Sequence, residues 1–138
     1  MRKVLIIEDD NKIRVLYKRL LEKKFRLEVF EASDGRVGLE MYRSIRPNLI
    51  FLDILMPNMN GIEFMEELRQ TDDQTPVVIM TAMADSDFVK KMVLLGIKDY
   101  VIKSEFVYQI EGRIADILYA NIPALERIST KKAVPDYL

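Results

Sequence analysis

Residues 49–61 read LIFLDILMPNMNG. The four apolar residues at 49–52 have the length and continuity of a short strand covered on both faces. The run breaks at a carboxylate, Asp53, and passes into a loop carrying Pro57, Asn58, Asn60 and Gly61. An acid so placed sits at the carboxyl end of a buried strand, one residue out of the apolar interior. In open parallel α/β sheets that edge is where ligands bind.

Runs of the same kind recur on either side, at 4–7 and 27–30 before it and at 77–80 and 100–102 after it. The runs at 4–7 and 77–80 are continuous, whereas 27–30 alternates apolar and charged residues as a half-exposed edge strand does. Amphipathic segments fill the gaps. Over 11–24, Ile13, Leu16, Tyr17, Leu20 and Leu21 follow helical spacing, with Lys and Arg on the other face. Ser33 or Asp34 caps a second helix through Ser44, stopped by Pro47. A third covers 61–69. Asp85 or Ser86 caps a fourth that runs to Leu95 and ends at Gly96. A fifth runs from near Glu105 to about Asn121. The fold predicted is α/β: five parallel strands alternating with five helices in a three-layer sandwich. Residues 1–121 form the domain, and 122–138 read as a tail or the start of a linker.

Composition narrows the chemistry. The chain has 138 residues, 49% hydrophobic and 31% charged, enough for one folded domain with a substantial core. A net charge of −1 gives no electrostatic reason to expect nucleic acid or an anionic membrane as partner. There is no Cys and no His, so disulfides, thiolate metal sites and histidine acid–base chemistry are excluded. The opening run VLII is too short for a signal-peptide core, and no apolar stretch nears the roughly 20 residues needed to span a bilayer. A cytoplasmic protein is expected.

Polar residues close each run. The first ends in Glu8, Asp9 and Asp10, the third in Asp53, the fourth in Thr81 and the fifth in Lys103, while the edge run ends in the blander Glu31-Ala32-Ser33. The doubly wound order 2-1-3-4-5 makes the first, third, fourth and fifth strands neighbours and brings these ends together. Carboxylates within ~4 Å repel by about 4 kcal/mol per pair at an effective dielectric near 20. A hard divalent cation relieves that, and Mg2+ suits oxygen ligands and phosphate. Asp can attack phosphorus, with Mg2+ and Lys103 supplying positive charge and Thr81 a hydrogen bond.

The chain resembles the receiver domain of two-component response regulators over about residues 3–118. VLIIEDDNKIR resembles that family's first strand and acidic loop, LIFLDILMPNMNG its phosphoacceptor segment, VVIMTA its switch-threonine segment and DYVIK its aromatic-plus-lysine strand. The resemblance implies that Asp53 takes a phosphoryl group from a histidine kinase or phosphotransfer protein, or from a small phosphodonor. It implies that Asp9 binds Mg2+ directly, Glu8 through water and Leu55 through its backbone carbonyl. Lys103 pairs with the phosphoryl group, Thr81 and the Ala82 N–H grip it, and Tyr100 swings inward. The surface of helix four, strand five and helix five then switches, and a homodimer through it is an expected partner arrangement. Where the family carries Pro after the lysine, this chain has Ser104.

Plainer readings stand beside these. Asp9 and Asp10 can cap the first helix, Asp53 can be a turn residue, Thr81 an N-cap hydroxyl, Lys103 a solvated lysine and Tyr100 a core residue. The basic face of the first helix (Lys12, Lys18, Arg19, Lys23) is either solvated or a phosphodonor contact. Alternatives to a phosphorylated switch are a pseudo-receiver that only binds partners, an aspartate-nucleophile phosphatase and a flavin carrier. Leu55 stands where the phosphatase has its second Asp, and three acids stand where the flavin carrier needs a phosphate loop. No DNA-binding motif follows residue 121, so output is expected through protein contact or from a segment beyond Leu138.

Overall fold

The architecture is read from a computed structural model that describes residues 2–56, 58–72, 74–82, 86–102 and 107–122, the side chains of 86 and 107–110 excepted. Its elements alternate strictly: β1 Lys3–Ile7, α1 Asn11–Phe25, β2 Glu28–Ala32, α2 Gly35–Ile45, β3 Leu49–Asp53, α3 Gly61–Thr71, β4 Val77–Thr81, α4 Ser86–Leu94, β5 Asp99–Ile102 and α5 Val107–Asn121. The five strands form one parallel sheet in the order β2-β1-β3-β4-β5. The predicted fold class is the observed one.

Side chains alternate across the sheet, and each face feeds its own core. Val4, Ile6, Leu49, Phe51, Val78, Met80 and Val101 pack with Tyr17 and Leu21 of α1 and with Ile114, Ile117 and Leu118 of α5. Leu5, Ile7, Ile50, Leu52, Val77 and Ile79 pack with Leu39 and Tyr42 of α2, Phe64, Met65 and Leu68 of α3, and Met92 of α4. The runs in β1, β3 and β4 are continuous because both faces are covered. Burying each such side chain contributes about 1.5–3 kcal/mol. β2 lies at the edge, and all but Ala32 of it is half-buried.

The helices start on side-chain caps. Asp10 accepts from the N–H groups of Lys12 and Ile13, and Asp34 from that of Val37. Asn60 and Glu63 form a reciprocal capping box at α3. The choice between Ser33 and Asp34 thus falls to Asp34. Asp85, the other expected cap, lies outside the described residues, as do Glu105 and the tail from 123. At the opposite edge of the sheet Arg69 of α3 ties several pieces together. Its Nε donates to the Leu95 carbonyl at 3.1 Å, and its Nη2 donates to Gly96 and Thr75 carbonyls, each at 3.1 Å. Its Nη1 reaches the Asp72 carbonyl at 3.0 Å.

Strand ends depart from the apolar runs for one reason: pairing with a neighbour, rather than hydropathy, sets where a strand stops. β2 is shifted from 27–30 to Glu28–Ala32 because Glu31 and Ala32 pair with Ile6 and Ile7. Leu27 stays in the core as a turn residue, 3% exposed. β3 keeps Asp53, paired with Met80, and β4 keeps Thr81, paired with Ile102. The expectation that Asp53 stands one residue outside the interior is corrected: its carboxylate belongs to the strand.

Candidate functional site

Three strand ends build the site. β1 delivers Glu8 and Asp9, β3 delivers Asp53, and β4 delivers Thr81 and then Ala82. Glu8 is held on both sides of its backbone. Its N–H donates to the Ala32 carbonyl at 3.0 Å, which extends the β1–β2 ladder by one residue. Its carbonyl accepts from Nη1 of Arg14 at 2.7 Å. Its side-chain Oε1 accepts the Asp10 N–H at 3.2 Å. The two adjacent aspartates divide the readings between them. Asp10 is the helix cap, and Asp9 is exposed and faces the other acids.

The carboxylate oxygens of Glu8, Asp9 and Asp53 lie within 4.8 Å of one another. Glu8 and Asp53 are buried, at 0% and 4% exposure. Each ionised pair at ~4.8 Å costs roughly 3 kcal/mol at an effective dielectric near 20. The donor set is all oxygen, and two of its members are withdrawn from water. Those properties fit a hard divalent cation. Among the described residues this is the one group of three or more acids close enough to hold a metal ion.

The remaining expected residues take these places. Thr81, 8% exposed, ends the strand beside Asp53, and Ala82 follows it at the surface. Leu55 is 73% exposed, and its N–H points to Oδ1 of Asp53 at 3.4 Å. Tyr100 is half-buried in β5 against the core beneath α2, α3 and α4. The Arg113 guanidinium stands over its ring at 5.4 Å and donates to its carbonyl at 2.9 and 3.0 Å. Lys103, with Ser104 after it, lies outside the described residues, as does Met83. The structure thus brings Glu8, Asp9 and Asp53 together and sets Thr81 on the adjoining strand.

Arg14 and Glu31 belong to the site's surroundings and were not anticipated. The sequence reading assigns Arg14 no role of its own, and its side chain is only 15% exposed. Its Nε donates to Glu31 at 3.2 Å, and its Nη2 donates to Asn11 at 2.7 Å. A signal existed: positions 14, 17 and 21 share one side of a helix, and Tyr17 and Leu21 are buried. On the face where a homodimer is expected, Asp99 of β5 and Arg113 of α5 bond to each other within the chain at 2.6 Å.

The comparisons with known proteins agree on one family. A family model described as "Response regulator receiver domain" matches residues 4–115. The chain is 36% identical over 106 residues to the regulatory protein AtoC of Escherichia coli, covering 75% of this chain and 22% of AtoC. It is 30% identical over 102 residues to the chemotaxis protein CheY of Thermotoga maritima, covering 74% of this chain and 85% of that one. The crystal structure of Vibrio cholerae CheY4 superposes with a TM-score of 0.79 at 25% identity, covering 88% of this chain and 99% of that one. The match therefore spans about a fifth of AtoC and most of CheY.

Proposed function

The chain belongs to the response regulator receiver domain family, and from that premise we propose that it is a switch phosphorylated at Asp53. The observation that carries this reading is the meeting of Glu8, Asp9 and Asp53 at one sheet edge, within 4.8 Å. An Asp53 oxygen attacks the phosphorus of a phosphohistidine on a histidine kinase or phosphotransfer protein, or of a small phosphodonor. A P–O bond forms, and the bond to the donor breaks. The donor atom keeps the electron pair; a histidine nitrogen then takes a proton from water, whereas a carboxylate leaving group needs none. Asp9, Asp53 and the Leu55 carbonyl would hold Mg2+, with Glu8 acting through water. Bound Mg2+ offsets the negative charge of the acids and of the transferring oxygens.

Lys103 pairs with the phosphoryl group, and the Thr81 hydroxyl and Ala82 N–H donate to it. The position of Thr81 at the end of the strand beside Asp53 supports that role. As Thr81 moves toward the phosphoryl oxygens, Tyr100 turns inward, and the two-state surface of α4, β5 and α5 shifts its population. Water later cleaves the acyl phosphate. The protein is thus a signalling switch rather than a turnover enzyme. The switching unit is residues 1–121 with 122–138 as tail or linker, its place is the cytoplasm, and the switched face also supports a homodimer. Among the described residues, no helix is long and apolar enough to cross a membrane.

Acetyl phosphate with and without Mg2+, resolved on a phosphate-affinity gel, tests the reading. Wild type should shift only with Mg2+, and Asp53→Asn should not shift while keeping its circular dichroism. A folded wild-type sample that never shifts would make the chain a pseudo-receiver that signals by contact alone, a reading that Ser104 favours.

A further inference from the structure

We propose that Arg14 is the positioning residue of the acidic loop: it fixes the peptide between Glu8 and Asp9, from which both carboxylates project. The proposal rests on the reading of Glu8, Asp9 and Asp53 as the Mg2+ site. The shortest bonds Arg14 makes are 2.7 Å, and one of them goes to the Glu8 carbonyl. That carbonyl belongs to the very peptide that joins the two acids. With the Glu8 N–H held by the Ala32 carbonyl, the backbone of Glu8 is anchored at both of its polar groups, one by β2 and one by α1.

Three partners hold the guanidinium itself. Nε meets Glu31 of β2, Nη2 meets Asn11 of α1, and Nη1 meets Glu8. A planar fork with donors in fixed directions can serve three acceptors at once, whereas an ammonium is a point charge on a flexible stem. Glu31 is the counter-charge, so the Arg14–Glu31 pair brings little net charge to the acids. Its effect on a cation is therefore geometric before it is coulombic. A plain strut between α1 and β2 is the competing role, but Lys18 already reaches the same Glu31 carboxylate at 3.7 Å. The bond to the Glu8 peptide is what Arg14 adds. Partners one step removed from a metal ligand commonly change metal affinity by about 10–100-fold when removed.

Titration of 15N-labelled full chain with MgCl2, followed at the backbone amides, tests this on wild type, Arg14→Ala, Arg14→Lys and Glu31→Gln. Thermal melts are run alongside. Arg14→Ala should raise the Mg2+ dissociation constant about tenfold. Arg14→Lys, which keeps the charge and loses the fork, should raise it several-fold, and Glu31→Gln less. If Arg14→Ala does not fold, Arg14→Lys and Glu31→Gln still decide. Dissociation constants within twofold of wild type, whatever the melts show, would overturn the proposal and leave Arg14 a strut. Tighter Mg2+ binding in Arg14→Ala would overturn it in favour of simple charge repulsion. A wild-type chain that binds no Mg2+ would sink this inference together with the metal reading beneath it.

Discussion

The side-chain amide of Asn58 donates to the carboxylate of Asp34 at 3.0 Å, which joins the turn before α2 to the loop that follows Asp53. The Gly35 N–H donates to the Met59 carbonyl at 3.3 Å, so the two loops are also joined through main chain. Asn58 has φ 65°, a left-handed conformation that Asn tolerates better than residues with an apolar side chain. Asn58→Ala should therefore cost about 1–2 kcal/mol, from the lost amide and the added strain. Asn58→Gly keeps the backbone comfortable and should cost less. Urea denaturation of the two variants checks this; equal losses would mean that the hydrogen bond alone matters.

Asp72 gives the acid limb of the stability profile its shape. Burial by itself would raise this carboxyl, but the bonds it accepts from the Thr75 hydroxyl, the Tyr42 phenol and the Thr75 and Gln74 N–H groups hold it well below the usual carboxylate range. Asp34 is also lowered, by the Val37 N–H first and the Asn58 amide second. A depressed native pKa means that the unfolded chain binds protons first as pH falls. Both contributions are thus present above the unfolded carboxyl value near ~3.9 and fade below it. Burial first, then the Asp72 bond, raises the Tyr42 phenol in turn. Asp72→Asn should lose roughly 2 kcal/mol at pH 7 and flatten the fall in stability between about pH 4 and pH 2. Urea midpoints across that range are the measurement.

Gly61 lets the loop close back on the strand it has just left. A Cβ there would stand 2.7 Å from the Asp53 carbonyl and 2.9 Å from the Ile54 Cα. Both are main-chain atoms that cannot rotate away. Gly61→Ala should lose about 1–3 kcal/mol despite Ala's better helix propensity. It should also weaken Mg2+ binding, since the atoms displaced lead directly out of Asp53. At Gly38 the near atoms are instead Cδ1 and Cγ1 of Ile7, at 2.5 and 2.8 Å, a side chain with some freedom. Gly38→Ala should cost less, and a melt comparing the two variants would show it.

Because Asp99 and Arg113 satisfy each other within one chain, self-association through the α4–β5–α5 face should not depend on them. The exposed apolar residues on α4 are Phe88, Val93 and Leu94, at 42%, 57% and 88% exposure. Leu94→Glu should lower any dimer population by tenfold or more, as expected when about 2 kcal/mol of apolar contact is replaced by a buried charge. Asp99→Asn should leave it nearly unchanged. Sedimentation velocity with and without a phosphodonor distinguishes these outcomes.

The layered fold was legible because three apolar runs, at 4–7, 49–52 and 77–80, are covered on both faces and so carry no polar interruption. The edge strand was misplaced by a residue or two, since Leu27 is apolar for the sake of the core while Glu31 lies in the ladder for the sake of Ile6. The acids of the site were legible as residues that stop an apolar run. That two of them are buried was not, because strand pairing runs past the last apolar position. Arg14 was missed since charge on an amphipathic helix reads as solvent-facing, and only the fold reveals that β2 supplies its partner. The adjacent acids Asp9 and Asp10 carry the same chemistry in sequence. Their roles part only when the helix starts and takes Asp10 for its cap.

Arg69 grips the carbonyls of Leu95 and Gly96 with the same guanidinium that holds the segment leading into β4. The carboxyl end of α4 is therefore clamped to the body of the protein, so any tilt of the helix would have its fulcrum there and its largest stroke at the end near Ser86. In the proposed switch, a push begun beside the acids would reach the outer surface as the tilt of a lever, with Leu94 near the pivot and Phe88 out along the arm.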